Sequence, residues 1–313
     1  MIAYSIRRIL ITIPTLFFVA TVVFIAMRIA PGDPAVAISG GKTTEEGLQT
    51  IRAQLGLDKP IWNQYLDYLC GLLHGDLGKS YKSKRPVTEL LAMNLPYTLH
   101  LVFFGTLIGI ITGLPIGVLT AVKRNSFFDY FFRIFSLAGV SLPLFYLGLM
   151  LLLLFALKLP WFPTSGAGTS GDVLSQLYHL ILPATAAGLL MAAYVARETR
   201  SSMLEVLLAD YIRTARSKGL REATILYKHA LRNALVSIIT LVGIYINVLL
   251  ASSVMLEVVF SRPGLGRMIL GAIKQYDYQV LQSTILVFAA LISLVNLLVD
   301  LSYCIINPNI RLE

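Results

Sequence analysis

Two short stretches of the sequence place a lysine and a hydroxyl side chain directly after a glycine, as phosphate-binding loops do. They are Gly41-Lys42-Thr43 and Gly78-Lys79-Ser80. A nucleotide-binding loop also needs an additional glycine earlier in the loop, because its backbone must wrap closely around the phosphates. Val36 and Leu73 occupy the two positions where that glycine would stand. We therefore predict that this chain has no nucleotide site.

The other reactive side chains are scattered too widely to form a catalytic or metal site. His74 and Asp76 resemble a metal pair or an acid–base pair, but no third ligand follows nearby, so a polar turn is the preferred interpretation. Cys70 and Cys304 lack the spacing of a metal or redox motif. We predict no catalytic residue, no metal site and no cofactor in this chain. The remaining histidines are His100, His179 and His229.

A cationic segment from Ala209 to Leu220 is the most informative polar feature of the sequence. Asp210 is predicted to cap the N-terminus of a short helix, and Gly219 to end it. A helix this short is marginal in water without tertiary contacts. We therefore predict a docking element that a partner outside this chain holds in place.

The composition predicts the elements that must position this segment. Hydrophobic residues make up 56% of the 313 residues and charged residues only 14%, as is typical of polytopic membrane proteins. Six stretches reach the length of about 20 mostly apolar residues that a spanning helix needs. Because they are too long for barrel strands, we predict an all-α integral membrane protein. The predicted spans are 9–30, 97–122, 132–157, 178–196, 233–256 and 283–306.

Basic residues beside the spans predict the orientation of the chain in its membrane. With both termini cytoplasmic, most of them lie inside, including eight between Arg197 and Arg232. The net charge of +9 is attributed to this bias and to contact with anionic membrane lipid, not to nucleic acid. The first span is too long for a cleaved signal peptide and lacks a small-residue cleavage site. The other cytoplasmic basic residues are Arg7, Arg8, Lys123, Arg124, Arg133 and Arg311.

The predicted organisation follows from these spans. It comprises a cytoplasmic N-terminus at 1–8, the first span at 9–30, an extracytoplasmic helical segment at 31–96, a transmembrane core at 97–306 and a cytoplasmic C-terminus at 307–313. A cytoplasmic loop at 197–232 interrupts the core and carries the cationic segment.

The extracytoplasmic segment is predicted to contain two helices and to serve as a lid or collar. Thr43 and Glu46 have the spacing of a capping box at the start of the first helix. The second can begin at Pro60 and end at Gly75, with an aromatic face suited to the membrane interface.

A glycine repeat in the second span predicts close helix packing. The glycines recur at four-residue intervals, so they share one helix face along which another helix can approach the backbone. We assign them to packing within the chain, although a gating interface needs the same smooth surface. Pro115, Pro143 and Pro183 predict kinks in or near spans. The repeat comprises Gly105, Gly109, Gly113 and Gly117.

Polar residues inside the last two spans are candidates for the translocation path. An intramembrane acid costs about 2.5 to 3.5 kcal/mol on insertion scales, so such groups are functional candidates by default. Asp300 lies near the inner end of the last span, where pairing with a basic loop residue is an equal alternative. The candidates are Asn247, Ser252, Ser253, Asn296 and Asp300.

The cationic segment resembles the cytoplasmic coupling loop of ABC importer permeases. Ala215 and Gly219 match the second Ala and the Gly of the Glu-Ala-Ala-x-x-x-Gly pattern, whereas Arg213 and Thr214 depart from it. The departures resemble the first permease subunit of the dipeptide, oligopeptide and nickel family, in which Asp-Tyr-x-Arg-Thr-Ala-Arg-x-Lys-Gly is typical. Further blocks agree along the chain: Ala30-Pro31-Gly32-Asp33-Pro34, Leu55-Gly56-Leu57-Asp58, Gly75-Asp76-Leu77-Gly78, Arg85-Pro86-Val87, Pro263-Gly264-Leu265-Gly266-Arg267, Asp277-Tyr278, Tyr303, Asn307-Pro308 and Ile310-Arg311.

This resemblance implies the type I ABC importer permease fold and a set of partners. The implied partners are a second homologous permease subunit, two ABC ATPase subunits that bind ATP and Mg, and an extracytoplasmic substrate-binding protein. Arg262 through Arg267 could meet that binding protein or cap a short outer helix. In the docking element, Tyr211 and Ile212 are expected to insert into the ATPase. The implied coupling residues are Asp210, Tyr211, Ile212, Arg213, Thr214, Ala215, Arg216, Lys218 and Gly219.

The resemblance implies import of short peptides or related small solutes. Nickel or metal chelates and glutathione-like solutes are the alternative substrates. A secondary transporter is disfavoured, because its paired inverted repeats are not visible in the sequence.

Overall fold

A computed structural model describes residues 2–29, 32–39 and 43–306 of the chain. The predictions for Ala30-Pro31, for Gly41-Lys42 and for the C-terminal tail at 307–313 lie outside these residues, as do those for the side chains of Arg7, Arg8, Tyr303 and Cys304. The described residues are helical throughout their long elements and contain no strand, apart from an isolated bridge between Lys79 and Pro86. The all-α prediction is therefore confirmed.

The helices follow one another with short connections. Two of the described helices continue into a wide π-helical turn. In chain order they are α1 (Ile2–Ile29), α2 (Pro34–Ser39), α3 (Glu45–Gln54), α4 (Ile61–Leu73), α5 (Val87–Val122), α6 (Phe127–Ser141), α7 (Leu144–Leu151, then π-helical over Leu152–Lys158), α8 (Val173–Leu207), α9 (Asp210–Ser217), α10 (Glu222–Thr224, then π-helical over Ile225–Leu231), α11 (Arg232–Val259), α12 (Leu265–Gln275) and α13 (Tyr278–Ile306).

The chain divides into two compact units. The first unit comprises Met1–Arg7, Leu99–Arg262 and Leu294–Glu313, and the second comprises Arg8–Thr98 and Pro263–Ser293. The first unit contains the coupling segment and the polar residues of the last spans. The second contains the outer helices that the sequence predicted between the first two spans.

Five of the described helices are long and apolar enough to cross a membrane. They are Leu10–Ile29, Val87–Val122, Val173–Leu207, Glu222–Val259 and Tyr278–Ser302. The predicted span at 132–157 is instead a pair of helices, Phe127–Ser141 and Leu144–Lys158, that meet at 106°. Leu142 is extended there, with φ of −89° and ψ of 132°, because the following Pro143 disfavours a helical conformation at the residue before it.

The membrane helices extend beyond the predicted apolar spans. Helix α5 begins at Val87, not at residue 97, and α8 runs from Val173 to Leu207, past both ends of the predicted 178–196 span. Both helices continue through the prolines at 115 and 183. Hydropathy locates the part of a helix that lies in lipid, whereas backbone hydrogen bonding continues into its polar ends.

Helix α8 forms the core of the first unit. In its most apolar stretch 72% of the residues are buried, compared with 28% for the helix Glu222–Val259. Small side chains such as Ala186, Ala187 and Ala196 line it, and α6, α7 and α11 pack around it. The outward faces of the other helices remain apolar and exposed, as expected for surfaces that meet lipid or other subunits.

The second unit contains the two outer helices that were predicted. The first, α3, begins one residue later than the capping box suggested, because Thr44, not Thr43, is the extended N-cap and its hydroxyl accepts from the Gly47 amide at 3.4 Å. The second, α4, starts after Pro60 as predicted. Its rings pack onto the first span, with Phe24 5.2 Å from Tyr65 and 5.7 Å from Tyr68 between centroids.

A buried carboxylate fixes the loop before α5 in this second unit. Asp277 is 4% exposed and accepts from the Ser80 hydroxyl at 2.5 Å, from the Tyr81 amide at 3.1 Å and from the Lys82 amide at 3.4 Å. Ser80 of the Gly-Lys-Ser sequence at 78–80 therefore makes an internal contact in this unit.

Candidate functional site

The cationic segment folds as the short helix α9, and Gly219 ends it as predicted. Gly219 has φ of +72°, and its amide donates to the Arg216 carbonyl at 2.9 Å while the Leu220 amide donates to the Ala215 carbonyl at 3.3 Å. These two bonds define a Schellman end, which requires a left-handed residue and favours glycine.

The N-terminal cap of α9 differs from the prediction. Ala209 is the N-cap residue and has no side-chain hydrogen bond, whereas Asp210 is the first helical residue. The Asp210 side chain is 98% exposed. It therefore contributes a favourable charge at the positive end of the helix dipole, not a capping hydrogen bond.

The apolar face of α9 packs on this chain itself. Ile212 is fully buried and Ala215 is 9% exposed, and the helix lies against the π-helical turn Ile225–Leu231. The prediction that Ile212 inserts into a partner is wrong, because its side chain already fills the interior of the first unit. The same contact explains how so short a helix is stable, since tertiary burial replaces the missing propensity.

The opposite face of α9 is polar and available. The Arg213 side chain is 74% exposed, and its Nη1 lies 3.8 Å from Asp210 Oδ1. Tyr211 is 45% exposed, and its hydroxyl accepts from the side-chain amide of Asn233 at 2.8 Å. Arg216 lies 2.8 Å from Glu222. Such half-exposed ion pairs contribute about 0 to 1 kcal/mol, so Arg216 can exchange its partner at little cost. Thr214 donates to the Asp210 carbonyl within the helix, and Lys218 is exposed beside the helix end.

The four-glycine repeat of α5 lies directly against α8. A Cβ added at Gly109 would lie 2.3 Å from the Met191 Cγ, and one at Gly113 would lie 2.7 Å from the Ala192 carbonyl oxygen. At Gly105 and Gly117 the nearest atoms are those of Ala187 and Thr199, at 2.7 and 2.4 Å. The glycines thus permit contact between the two helix backbones inside the chain.

Two of the five predicted polar path residues meet in the first unit. The Asn247 amide donates to the Asn296 side-chain oxygen at 2.6 Å, joining α11 to α13. Nearby, a Cβ on Gly243 would lie 2.5 Å from the Val299 Cγ2. Asp300 is partly exposed one helical turn after Asn296, so the two residues share one face of α13.

The two serines do not join this group. Ser253 is 1% exposed and its hydroxyl donates to the Leu250 carbonyl of its own helix at 2.8 Å. The prediction that Ser253 lines a path is therefore wrong, because its side chain is enclosed and its hydrogen bond is local. Ser252 is partly exposed on a neighbouring position of the helix.

An ion pair that the sequence did not predict joins α6 to α8. Asp129 is fully buried, and its two oxygens accept from Arg200 Nε at 2.7 Å and Nη2 at 2.9 Å. Asp129 also accepts from the Asn125 amide at 3.0 Å, and its own amide donates to the Ser126 hydroxyl at 3.3 Å. The Ser-x-x-Asp spacing indicates a helix start, but nothing in the sequence indicates the partner 71 residues away.

Arg262 was predicted to face an external binding protein or to cap an outer helix. It is 1% exposed, so contact with another protein is excluded for this residue. Arg267 is exposed on α12, a short helix whose first amide, that of Leu265, donates to the Thr98 hydroxyl at 2.9 Å.

The fold places the chain in a defined class of membrane protein. The described residues form an all-helical membrane subunit with five crossing helices, or six if the bent pair counts as one span. The MetNI methionine ABC transporter in an inward-facing conformation has a similar fold, with a TM-score of 0.57 and 20% identity over 70% of this chain and 96% of that one. An amino acid ABC transporter solved with histidines matches with a TM-score of 0.54 over 69% and 94% of the two chains. This is the type I ABC importer permease fold.

Sequence comparison then gives the family. The family described as "Binding-protein-dependent transport system inner membrane component" matches residues 113–312, and the N-terminal family of the same membrane components matches residues 1–102. The chain is 40% identical to the dipeptide transport system permease protein DppB of Escherichia coli K12, over 99% of both chains. It is 41% identical to the glutathione transport system permease protein GsiC of Pectobacterium atrosepticum, again over 99% of both. This chain belongs to the family of binding-protein-dependent transport system inner membrane components.

Proposed function

We propose that this chain is the first permease subunit of an ATP-driven importer of short peptides. The observation that carries the proposal is the similarity to dipeptide and glutathione permeases over nearly the whole length of this chain and of each relative. Glutathione transport is the second candidate, favoured by the relatives of that name. Nickel or metal chelates remain outcomes of the experiment below.

The proposed importer contains this chain, a second homologous permease and two ABC ATPases that bind ATP and Mg. The exposed polar face of α9 supports ATPase docking, because it presents Tyr211, Arg213 and Lys218 next to a rigid helix end. In this proposal the buried Ile212 and Ala215 anchor α9 to the permease, so that movement of the ATPase reaches α11 through the π-helical turn Ile225–Leu231. A nucleotide shifts the permease only if it favours one of two packings.

An extracytoplasmic binding protein delivers the solute in this proposal, and both termini lie in the cytoplasm. The second span's glycine repeat keeps α5 and α8 together as one body during the movement. The pair Asn247 and Asn296, with Asp300 one turn further, is the proposed polar part of the pathway. Across that pathway, the second permease would complete the lining.

Reconstitution tests the proposed function. The chain is assembled in proteoliposomes with the second permease, the two ATPases and the binding protein encoded beside it. We expect ATP-dependent accumulation of a labelled dipeptide, competed by unlabelled di- and tripeptides. Preferential competition by glutathione would support the second candidate, and preferential competition by a nickel chelate, or uptake without ATP, would refute the peptide proposal.

Cys70 offers a test of the proposed orientation. It is exposed at the end of α4, in the segment that the proposal places outside the membrane. A membrane-impermeant maleimide added to intact spheroplasts is expected to label it, and Cys70→Ser is expected to abolish the labelling. Labelling only after the membrane is opened would contradict the orientation.

A further inference from the structure

A polar cavity lies within the second unit, and no coupling or path residue lines it. Its volume is about 420 Å³, within the range of small-molecule sites. The end of α1, the outer helices α3 and α4, the loop before α5 and the start of α13 line it. The lining includes Arg28, Tyr68 and Gln282, together with Lys59, Asp67 and Asp76.

Three buried polar atoms of this lining lack a hydrogen-bond partner among the described residues. They are Arg28 Nη1, the Tyr68 hydroxyl and Gln282 Nε2. Gln282 is only 2% exposed. Because an unsatisfied buried polar group is costly, and more so if charged, three of them around one cavity indicate that the cavity receives a group that accepts hydrogen bonds.

Arg28 is held in place, and the three groups share donor character. Arg28 Nε donates to Gln64 Oε1 at 2.9 Å, and the guanidinium carbon lies 4.4 Å from the centre of the Phe24 ring. Burial raises the pKa of Tyr68 to about 12, so its hydroxyl keeps its proton. A guanidinium, a phenol and a primary amide together form a donor set that suits a carboxylate.

The acidic groups of the lining are exposed or already engaged. Asp67 is 62% exposed and pairs with Lys59 at 2.6 Å. Asp76 is exposed, and one of its oxygens accepts from the Gly78 amide at 2.8 Å. The unpaired charge among the buried groups is therefore the positive charge of Arg28. The Asp76 carboxylate stands at the exposed part of the lining, where an ammonium group is favoured.

We propose that this cavity binds the carboxylate of a small zwitterionic solute of dipeptide size, with Arg28, Tyr68 and Gln282 as its donors. It is a solute site within the second unit, and none of Asn247, Asn296 and Asp300 lines it. The substrate class rests on the proposed peptide-import function, whereas the carboxylate chemistry rests on the three buried donors.

Binding to the purified full chain in lipid nanodiscs tests the proposal. The probe is L-alanyl-L-alanine, compared with its C-terminal amide and with acetate, and titration calorimetry gives the dissociation constants. Arg28→Gln removes the charge. Gln282→Glu keeps the side-chain size but replaces the amide donor with a carboxylate. Arg85→Gln is the matched control, because Arg85 belongs to the same unit, is bonded to Glu89 and does not line the cavity.

We expect saturable dipeptide binding that weakens at least about tenfold in Arg28→Gln and in Gln282→Glu, and by less than about twofold in Arg85→Gln. A tenfold change corresponds to about 1.4 kcal/mol, at the lower end for a hydrogen bond to a charged group. Equal affinity for the C-terminal amide, unchanged binding in both variants or no saturable binding would overturn the proposal. Acetate binding as tightly as the dipeptide would overturn the assignment to a dipeptide-sized solute.

The proposal and the proposed function fail separately. If the reconstituted importer accumulates peptides but the chain alone binds none, the cavity proposal falls and the import function stands. If the chain binds dipeptide as described but the importer transports only other solutes, the peptide-import function falls while the carboxylate site remains.

Discussion

Replacing Gly219 with valine is expected to uncouple the permease from its ATPase without preventing its insertion. Gly219 has φ of +72°, and a Cβ added there meets no atom within 4 Å. The cost of the substitution is therefore conformational and not steric within this chain. A left-handed conformation costs an L-residue about 1 to 2 kcal/mol, and it is a genuine outlier for a β-branched side chain.

The conformational penalty at Gly219 is expected to reduce transport, because it disfavours the observed end of α9. The left-handed residue supports the two hydrogen bonds of the Schellman end, from the amides of Gly219 and Leu220, at 2.9 and 3.3 Å. A penalty of about 1 to 2 kcal/mol lowers the population of this end by a factor of about 5 to 30. Because the proposed ATPase docking selects that population, we expect ATP-dependent uptake in proteoliposomes to fall at least about fivefold, with unchanged membrane insertion and unchanged solute capture by the binding protein.

Two further variants separate conformation from contact. Gly271 lies in α12, has no atom within 4 Å of an added Cβ and does not have a left-handed φ, so Gly271→Val is expected to transport normally. Gly219→Asn is expected to retain most uptake, because Asn tolerates the left-handed region. Wild-type uptake by Gly219→Val would refute the reasoning, and equal loss in Gly219→Asn would show that a partner's close approach, not φ, sets the requirement.

Three other substitutions test the packing within each unit, all by thermal unfolding in nanodiscs. Gly113→Ala places a Cβ 2.7 Å from a backbone oxygen and is expected to destabilise the folded chain by about 1 to 3 kcal/mol. The control Gly139→Ala should be neutral, because its added Cβ has its nearest atom at 3.5 Å. Equal effects of the two variants would contradict the packing of the glycine repeat. Asp129→Asn leaves Arg200 without its anion. The expected loss of stability is less than the roughly 3 to 5 kcal/mol of a fully buried pair, because the arginine side chain is 21% exposed. The double variant Asp129→Asn/Arg200→Gln should recover part of this stability. Asp277→Ala removes the acceptor of three donors in the loop before α5, each worth about 1 to 3 kcal/mol when left buried. The variant should expose this loop to limited proteolysis, and an unchanged melting temperature would argue against the anchoring role of Asp277.

Local composition and periodicity are enough to predict several features of this chain. The apolar spans follow from the cost of backbone groups in lipid, and the four-residue glycine interval marks a helix face whatever lies opposite. Gly219 is predicted to end its helix because glycine adopts the left-handed conformation that such a helix end requires. The family resemblance similarly rests on contiguous blocks of residues.

The burial of individual side chains, and the pairing of residues distant in sequence, depend on the tertiary structure. From the sequence, Ile212 and Arg262 were candidates for contact with partner proteins, yet both side chains are buried within this chain. Asp129 finds Arg200 71 residues away, and Asp277 finds the loop at Ser80 197 residues away. Such pairings depend on how distant helices pack, which local hydropathy does not encode, and the donor-lined cavity of the second unit arises from the same long-range packing.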